Sequence, residues 1–257
     1  MNPIREQSSA TAENATPSDL TGLCRWGGYG AFALLLYSLG TLVQVAVIGA
    51  GAPSDAAGIF GMLRDHPIEG LLRLDLPVLL AVPFYYLVFL GLFAALRGVD
   101  LSKAILSTAL AFAGTTLVLA TPTALPMLRL SEMYAAATSD SQRAEYLAAG
   151  QAVMAIDVWH HTGALIGGIL LQSGAVLICW VMLRGVFGKG TAWLGIIMHG
   201  LDLLHVLCGQ FVPTAGAVLM AVAGVLYPFW FFLIGRRLLQ LGAKKSSRSM
   251  DSLLSAG

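Results

Sequence analysis

Asp202 lies in His199-Gly200-Leu201-Asp202-Leu203-Leu204-His205, inside a long stretch that is otherwise free of charge. A carboxylate in hydrocarbon costs about 2.5–3.5 kcal/mol on insertion scales, which makes it a functional candidate by default. A second group stands earlier in the chain, Asp157-Val158-Trp159-His160-His161. Imidazoles and carboxylates together support three chemistries. Asp157, His160, Asp202 and His205 have the ligand types that hold a divalent metal such as zinc or iron. Paired histidines could instead ligate a haem. Asp202, His205 and His160 could also act as catalytic general acid and base, or relay protons, toward an apolar substrate. The plainer alternative is that Asp202 pairs with one histidine and pins two helices, worth about 0.6 kcal/mol.

Helical phase adds direction. At about 100° per residue, Gly195, Asp202 and Gly209 share one narrow face, with His199 and His205 about 60° to either side. Small residues mark surfaces where helices approach closely, so Asp202 is expected to face protein and not lipid. His160 shares its own stripe with Gly163, Gly167 and Gly174. If these two glycine-lined faces meet, Asp157, His160, Asp202 and His205 converge. His161 points about 100° away from His160 and reads as interfacial. His66 precedes Pro67 in a loop and is expected to face water.

The elements that must position these groups are membrane spans. Of 257 residues, 57% are hydrophobic and only 11% charged, against about 25% charged in soluble domains. Uncharged runs cover Trp26–Ala50, Leu76–Leu96, Ala104–Leu128 and, apart from His160 and His161, Val158–Leu183. Each is long enough to cross about 30 Å of hydrocarbon. The third carries Pro122 and Pro126 and is expected to kink or lose its helix near the end. Gly190 to Gly235 would make one helix about 69 Å long, roughly twice the bilayer core, so it must fold back. Pro213-Thr214-Ala215-Gly216 is the expected turn, with spans near 191–211 and 215–235. The fold class is all-α: a six-span transmembrane helix bundle.

Lysine and arginine set the orientation. With the N-terminus inside, cytoplasmic segments hold eleven of them and the outer loops only Arg64, Arg73, Arg129 and Arg143. Both termini are therefore expected in the cytoplasm. Trp26, Trp159, Trp180 and Trp193 lie at span ends, where amphipathic rings favour the interface. Two outer loops are long and amphipathic. Residues 51–75 carry Ile59, Phe60, Leu63, Ile68, Leu71 and Leu72, suited to short helices on the outer membrane surface. Residues 129–157 carry Ser139-Asp140-Ser141-Gln142, a capping box whose helix is expected to continue into the fourth span. Residues 1–24 read as a disordered tail, 25–242 as the transmembrane domain and 243–257 as a basic tail able to lie on anionic headgroups.

Other signatures are missing: no H-E-x-x-H, G-x-S-x-G, Walker loop or Rossmann glycine pattern occurs. No basic stripe suggests nucleic acid, and Cys24, Cys179 and Cys208 are too scattered for a zinc-thiolate site. Several stretches together resemble a known family: Ser131-Glu132-Met133-Tyr134-Ala135-Ala136-Ala137-Thr138, Gln142-Arg143-Ala144 and Ala148-Ala149-Gly150. To these add Asp157-Val158-Trp159-His160, Gly167-Gly168-Ile169-Leu170-Leu171-Gln172, Gly200-Leu201-Asp202-Leu203-Leu204-His205 and Gly235-Arg236-Arg237-Leu238. Their order over residues 25–242 resembles the bacterial multi-pass family catalogued as domain of unknown function 4386. The resemblance implies a protein of the bacterial cytoplasmic membrane and carries over no activity or site. Function is therefore read from the residues. The first reading is a membrane protein, with lipid around it, that binds a small-molecule ligand or ion in an outer-leaflet cavity, with transport as its extension. The rivals are an intramembrane enzyme using Asp202, His205 and His160, and a structural or regulatory subunit with no site.

Overall fold

The computed structural model describes residues 20–49, 52–156 and 162–254, and from Lys244 to Leu254 the backbone alone. Among the described residues there are helices and no strand. They are α1 (Leu20–Ile48), α2 (Ala56–Asp65), α3 (Pro67–Arg73), α4 (Leu76–Ala81), α5 (Phe84–Leu96), α6 (Leu101–Leu119), α7 (Ala124–Ala136), α8 (Asp140–Ala155), α9 (Thr162–Met182), α10 (Lys189–Cys208) and α11 (Pro213–Leu254). Six segments are long and apolar enough to cross a membrane: Leu20–Val47, Leu76–Leu96, Leu101–Ala136, Thr162–Met182, Lys189–Cys208 and Pro213–Ala243. The expected all-α six-span bundle is the observed fold.

The span boundaries follow local chemistry. Helix α1 starts at Leu20, inside the stretch expected to be a tail, and ends at Gly49, whose φ of +89° suits a residue without Cβ. The second span is interrupted between α4 and α5 by Pro83, which has no N–H to donate to the preceding turn. In the third, α6 stops before Thr121-Pro122-Thr123 and α7 starts afresh, with Pro126 tolerated in its first turn. The expected break at Pro122 is thus present. The turn between the last two spans lies earlier than expected. Residues 209–212 make it, and Pro213 opens α11 because its fixed φ and missing N–H suit the first helical position. Likewise α8 does not run on into the fourth span: it ends at Ala155 with Ile156 off the helical region. At its start Ser139 caps Gln142 N as expected, while the Gln142 side chain reaches back to Thr138 N and not to Ser139.

The spans close into a ring in chain order, each packed on its sequence neighbour and α11 returning to α1. Glycine sets how closely they meet. A Cβ on Gly27 would lie 2.7 Å from Cα of Gly91, so α1 and α5 touch backbone to backbone. The same holds for α6 and α9, where a Cβ on Gly174 would lie 2.7 Å from the Ser107 carbonyl, and for α10 and α11 at Gly209 and Gly216. In lipid such packing, and not water exclusion, holds helices together. The outward faces are apolar: Leu36, Val43, Ile105, Ile197 and Phe229 are all more than half exposed. Trp26, Trp180 and Trp193 are exposed as expected of interfacial rings, whereas Trp230 is enclosed in the core.

The termini and the α5–α6 and α9–α10 turns mark one end of the ring. At the other end α2, α3, α7 and α8 form a cap with its own small core of Ala56, Ile59, Phe60, Leu63 and Met127. The apolar face expected to lie on the membrane is thus turned largely onto neighbouring helices: Phe60 meets the Tyr134 ring at 5.5 Å and presses on Gly150. Ile68 remains exposed.

Candidate functional site

Asp75 is where the cap is tied to the bundle. Its carboxylate accepts from the Thr123 backbone N–H, from the Thr123 hydroxyl at 2.9 Å and from the Ala124 N–H at 2.8 Å. It therefore caps the N-terminus of α7 from across the fold, where an anion is favoured by the helix dipole and the unpaired N–H groups. The side chain is buried and fully engaged.

Asp202 is different. It points inward from α10, as its glycine-lined face requires: the Gly195 position is pressed against Cys179 and Trp230, and Gly209 against Gly216. Its Oδ2 accepts from the Tyr227 hydroxyl on α11 at 2.6 Å and from Gln172 Nε2 on α9 at 2.6 Å. With the Gln172 amide nitrogen turned to the carboxylate, its oxygen accepts from His199 Nδ1 at 2.7 Å. His199 therefore carries its proton on Nδ1. Its Nε2 is enclosed without a hydrogen-bond partner among the described residues, edge-on to the Trp230 ring at 4.8 Å. Three helices are stitched by this network. No hydrogen bond from a described residue reaches Asp202 Oδ1.

A cavity of about 490 Å³ adjoins the network. Asp202, Gln172 and Tyr227 line it together with Tyr85, Phe231 and Tyr37, and its remaining walls are largely aliphatic. Ser38, Thr41, His205 and Gln210 add polar groups toward the cap end. Toward the termini the bundle is filled by Phe89, Leu92, Leu96, Ile178, Met182, Ile234 and Leu238, all buried. His205 lines the cavity and has Nδ1 2.9 Å from the Gly216 carbonyl, so that nitrogen donates and the ring is fixed to the start of α11.

Of the residues singled out in the sequence, the structure brings Asp202 and His205 to one cavity and joins Asp202 to His199 through Gln172. Asp157, His160 and His161 lie outside the described residues. The stripe assigned to His160 does not turn toward Asp202: Gly167 and Gly174 pack on α6, against Gly114 and Ser107. The face of α9 that meets α10 carries Gly168, against Val206, and Gln172. Among the described residues no group of three or more His, Cys, Asp or Glu could hold a metal. For haem, the enclosed His199 and the cavity-lining His205 face no common space. His66 is exposed, and the three cysteines are free.

Gln172 and Tyr227 are the site residues that a search for ionisable groups overlooks. A signal was present: Gln172 is the lone amide in the fourth uncharged run, and Tyr227 the lone tyrosine in the sixth span. Buried amides and phenols in hydrocarbon require partners as carboxylates do. No family model matches the chain, and neither a curated protein nor a solved structure is similar to it.

Proposed function

We propose that this multi-pass membrane protein binds a small molecule, with an apolar body and a polar head, in the cavity beside Asp202. The observation that carries the reading is the cavity itself. Its size lies within the roughly 300–1,000 Å³ of small-molecule sites, and it pairs apolar walls with a few convergent polar groups. A carboxylate that only pinned helices would be expected to have both oxygens engaged, as in Asp75. The filled half toward the termini favours binding over a conduction path. The eleven-to-four bias of basic residues supports cytoplasmic termini, which turns the cavity toward the outer leaflet. The resemblance to domain of unknown function 4386 supports the bacterial cytoplasmic membrane as the setting.

The test uses Gly224, which lines the cavity and has open space where a Cβ would stand. Gly224→Trp fills the cavity without disturbing the backbone. Native mass spectrometry of protein extracted gently from membranes should show a discrete small-molecule adduct on the wild type that is missing from Gly224→Trp. Identical spectra for the two proteins would count against ligand binding.

A second reading, acid–base catalysis within the membrane, is favoured by one observation: Asp202 and His205 line the same accessible space. It requires a chemically altered molecule to leave the cavity. Turnover lost in Asp202→Asn while the adduct is still bound would establish it.

A further inference from the structure

We infer that the cavity selects a lipophilic organic cation, with Asp202 as its counter-ion. The inference rests on the ligand-binding reading and adds the charge of the ligand. Three observations point the same way. First, Asp202 lines the cavity and spends one oxygen on Tyr227 and Gln172, while its other oxygen receives no donor from the described residues. Second, among the described residues the cavity lining contains no lysine or arginine, and His205, the other acid or imidazole residue described there, has its Nδ1 proton committed to the Gly216 carbonyl. Third, the deep wall is aromatic. Tyr85, Tyr227 and Phe231 form one cluster, with ring centroids 5.5 Å apart for Tyr227 and Phe231 and 6.0 Å for Tyr85 and Phe231, and Tyr37 lines the same space.

A carboxylate in an apolar cavity binds a cation far better than a neutral head, since only the cation offsets its charge. Aromatic rings add to this, because their quadrupole attracts quaternary and other soft cations and tolerates no particular hydrogen-bond geometry. The aliphatic remainder of the wall, Val78, Val82, Leu165 and Val206 among it, accommodates an apolar body. Among the described residues a metal ion would find too few donors, and a small hydrophilic amine would leave the aliphatic wall uncovered.

The test measures equilibrium binding of tetraphenylphosphonium and of uncharged triphenylphosphine oxide to the full chain in detergent. The proteins are the wild type, Asp202→Asn and Gly224→Trp, each checked for assembly by gel filtration. The wild type should prefer the phosphonium by at least ~10-fold. Asp202→Asn should lose that preference with the oxide unaffected, and Gly224→Trp should lose both ligands. Equal wild-type affinity for the two probes, or an undiminished preference in Asp202→Asn, overturns the cation assignment while leaving the ligand-binding reading in place. Failure of both probes to bind the assembled wild type overturns both, whereas failure of the oxide alone agrees with the cation assignment. If Asp202→Asn does not assemble, displacement of the phosphonium from the wild type by tetrabutylammonium, against no displacement by tributylamine oxide, supports the assignment; equal displacement rejects it.

Discussion

The junction with the cap and the bundle itself each enclose a carboxylate, buried at Asp75 and half-buried at Asp202, and they treat it in opposite ways. Asp75 receives three donors from the start of α7, spread over both oxygens. Asp202, which lines a cavity, receives two donors on one oxygen and none on the other from the described residues. The surroundings differ in the same sense. The cap is held by Ile59, Phe60 and Leu63 leaving water for a small core, each contributing about 1.5–3 kcal/mol. The bundle has no water to exclude within the bilayer and depends on close backbone approach and interhelical hydrogen bonds. On the proposed reading, the carboxylate that finishes a structure is saturated, and the one that would serve a ligand keeps capacity in reserve.

This contrast predicts an order of effects on stability. The largest is Phe60→Ala, which empties the centre of the cap core and should cost about 3–5 kcal/mol. Hydrogen exchange should locate the loss in α2, α7 and α8, with the spans still protected. Next comes Asp75→Ala, which strands the Thr123 and Ala124 N–H groups and should cost about 2–3 kcal/mol by thermal unfolding in detergent. Asp202→Asn should cost under about 1 kcal/mol, because the amide oxygen still accepts from Tyr227 and Gln172. A loss for Asp202→Asn as large as that for Asp75→Ala would erase the distinction between the two carboxylates. Tyr227→Phe should likewise cost about 0.6 kcal/mol and leave the Gln172 to Asp202 bond in place.

The smallest effect concerns Asp100, the N-cap of α6, which accepts from Lys103 N and pairs with its ammonium. The bond from the Lys103 side chain, followed by that from its backbone N–H, holds the Asp100 carboxyl below the usual carboxylate range. Its folded-state value is thus depressed, so its contribution is complete above about pH 4, the unfolded value. It is lost as pH falls through the lowered folded value. The stability gap between wild type and Asp100→Ala should therefore be constant from neutral pH to about pH 4 and close below it.

Much of this was legible in the sequence, for reasons that vary by element. The spans follow from uncharged runs, because length and charge decide what enters a bilayer. The inward aim of Asp202 followed from Gly195 and Gly209, which share its face. Its partners did not. Helix α9 has small residues on two faces, Gly167 with Gly174 and Gly168, and either could have met α10. Spacing along one helix cannot say which neighbour takes which face. Gln172 and Tyr227 were passed over because they carry no charge, although a buried amide and phenol are bound by the same rule of partnership. Nothing local in the sequence marks Asp75, which borders the second uncharged run, as a cap for α7, since its partners lie 48 and 49 residues away. The turn before α11 was set a few residues late by reading Pro213 as a turn residue and not as the first residue of a helix.

The glycine contacts have a mechanical consequence. Spans α1 and α5, α6 and α9, and α10 and α11 each meet at the level of the main chain, so none of these pairs has slack to slide or part. Spans α1 and α11 approach in the same way, since a Cβ on Gly28 would lie 3.2 Å from the Gly235 carbonyl and one on Gly242 3.1 Å from that of Thr21. Helices α5, α1, α11 and α10 thus make one stiff stave and α6 with α9 a second. At the seam where α9 meets α10 the glycine contacts run through side chains, as where Gly168 meets Val206. The cavity is bordered by both staves. Any change in its girth must therefore come from the staves tilting about the filled half near the termini, and the hydrogen bond of Gln172 to Asp202 crosses a seam that such tilting would strain.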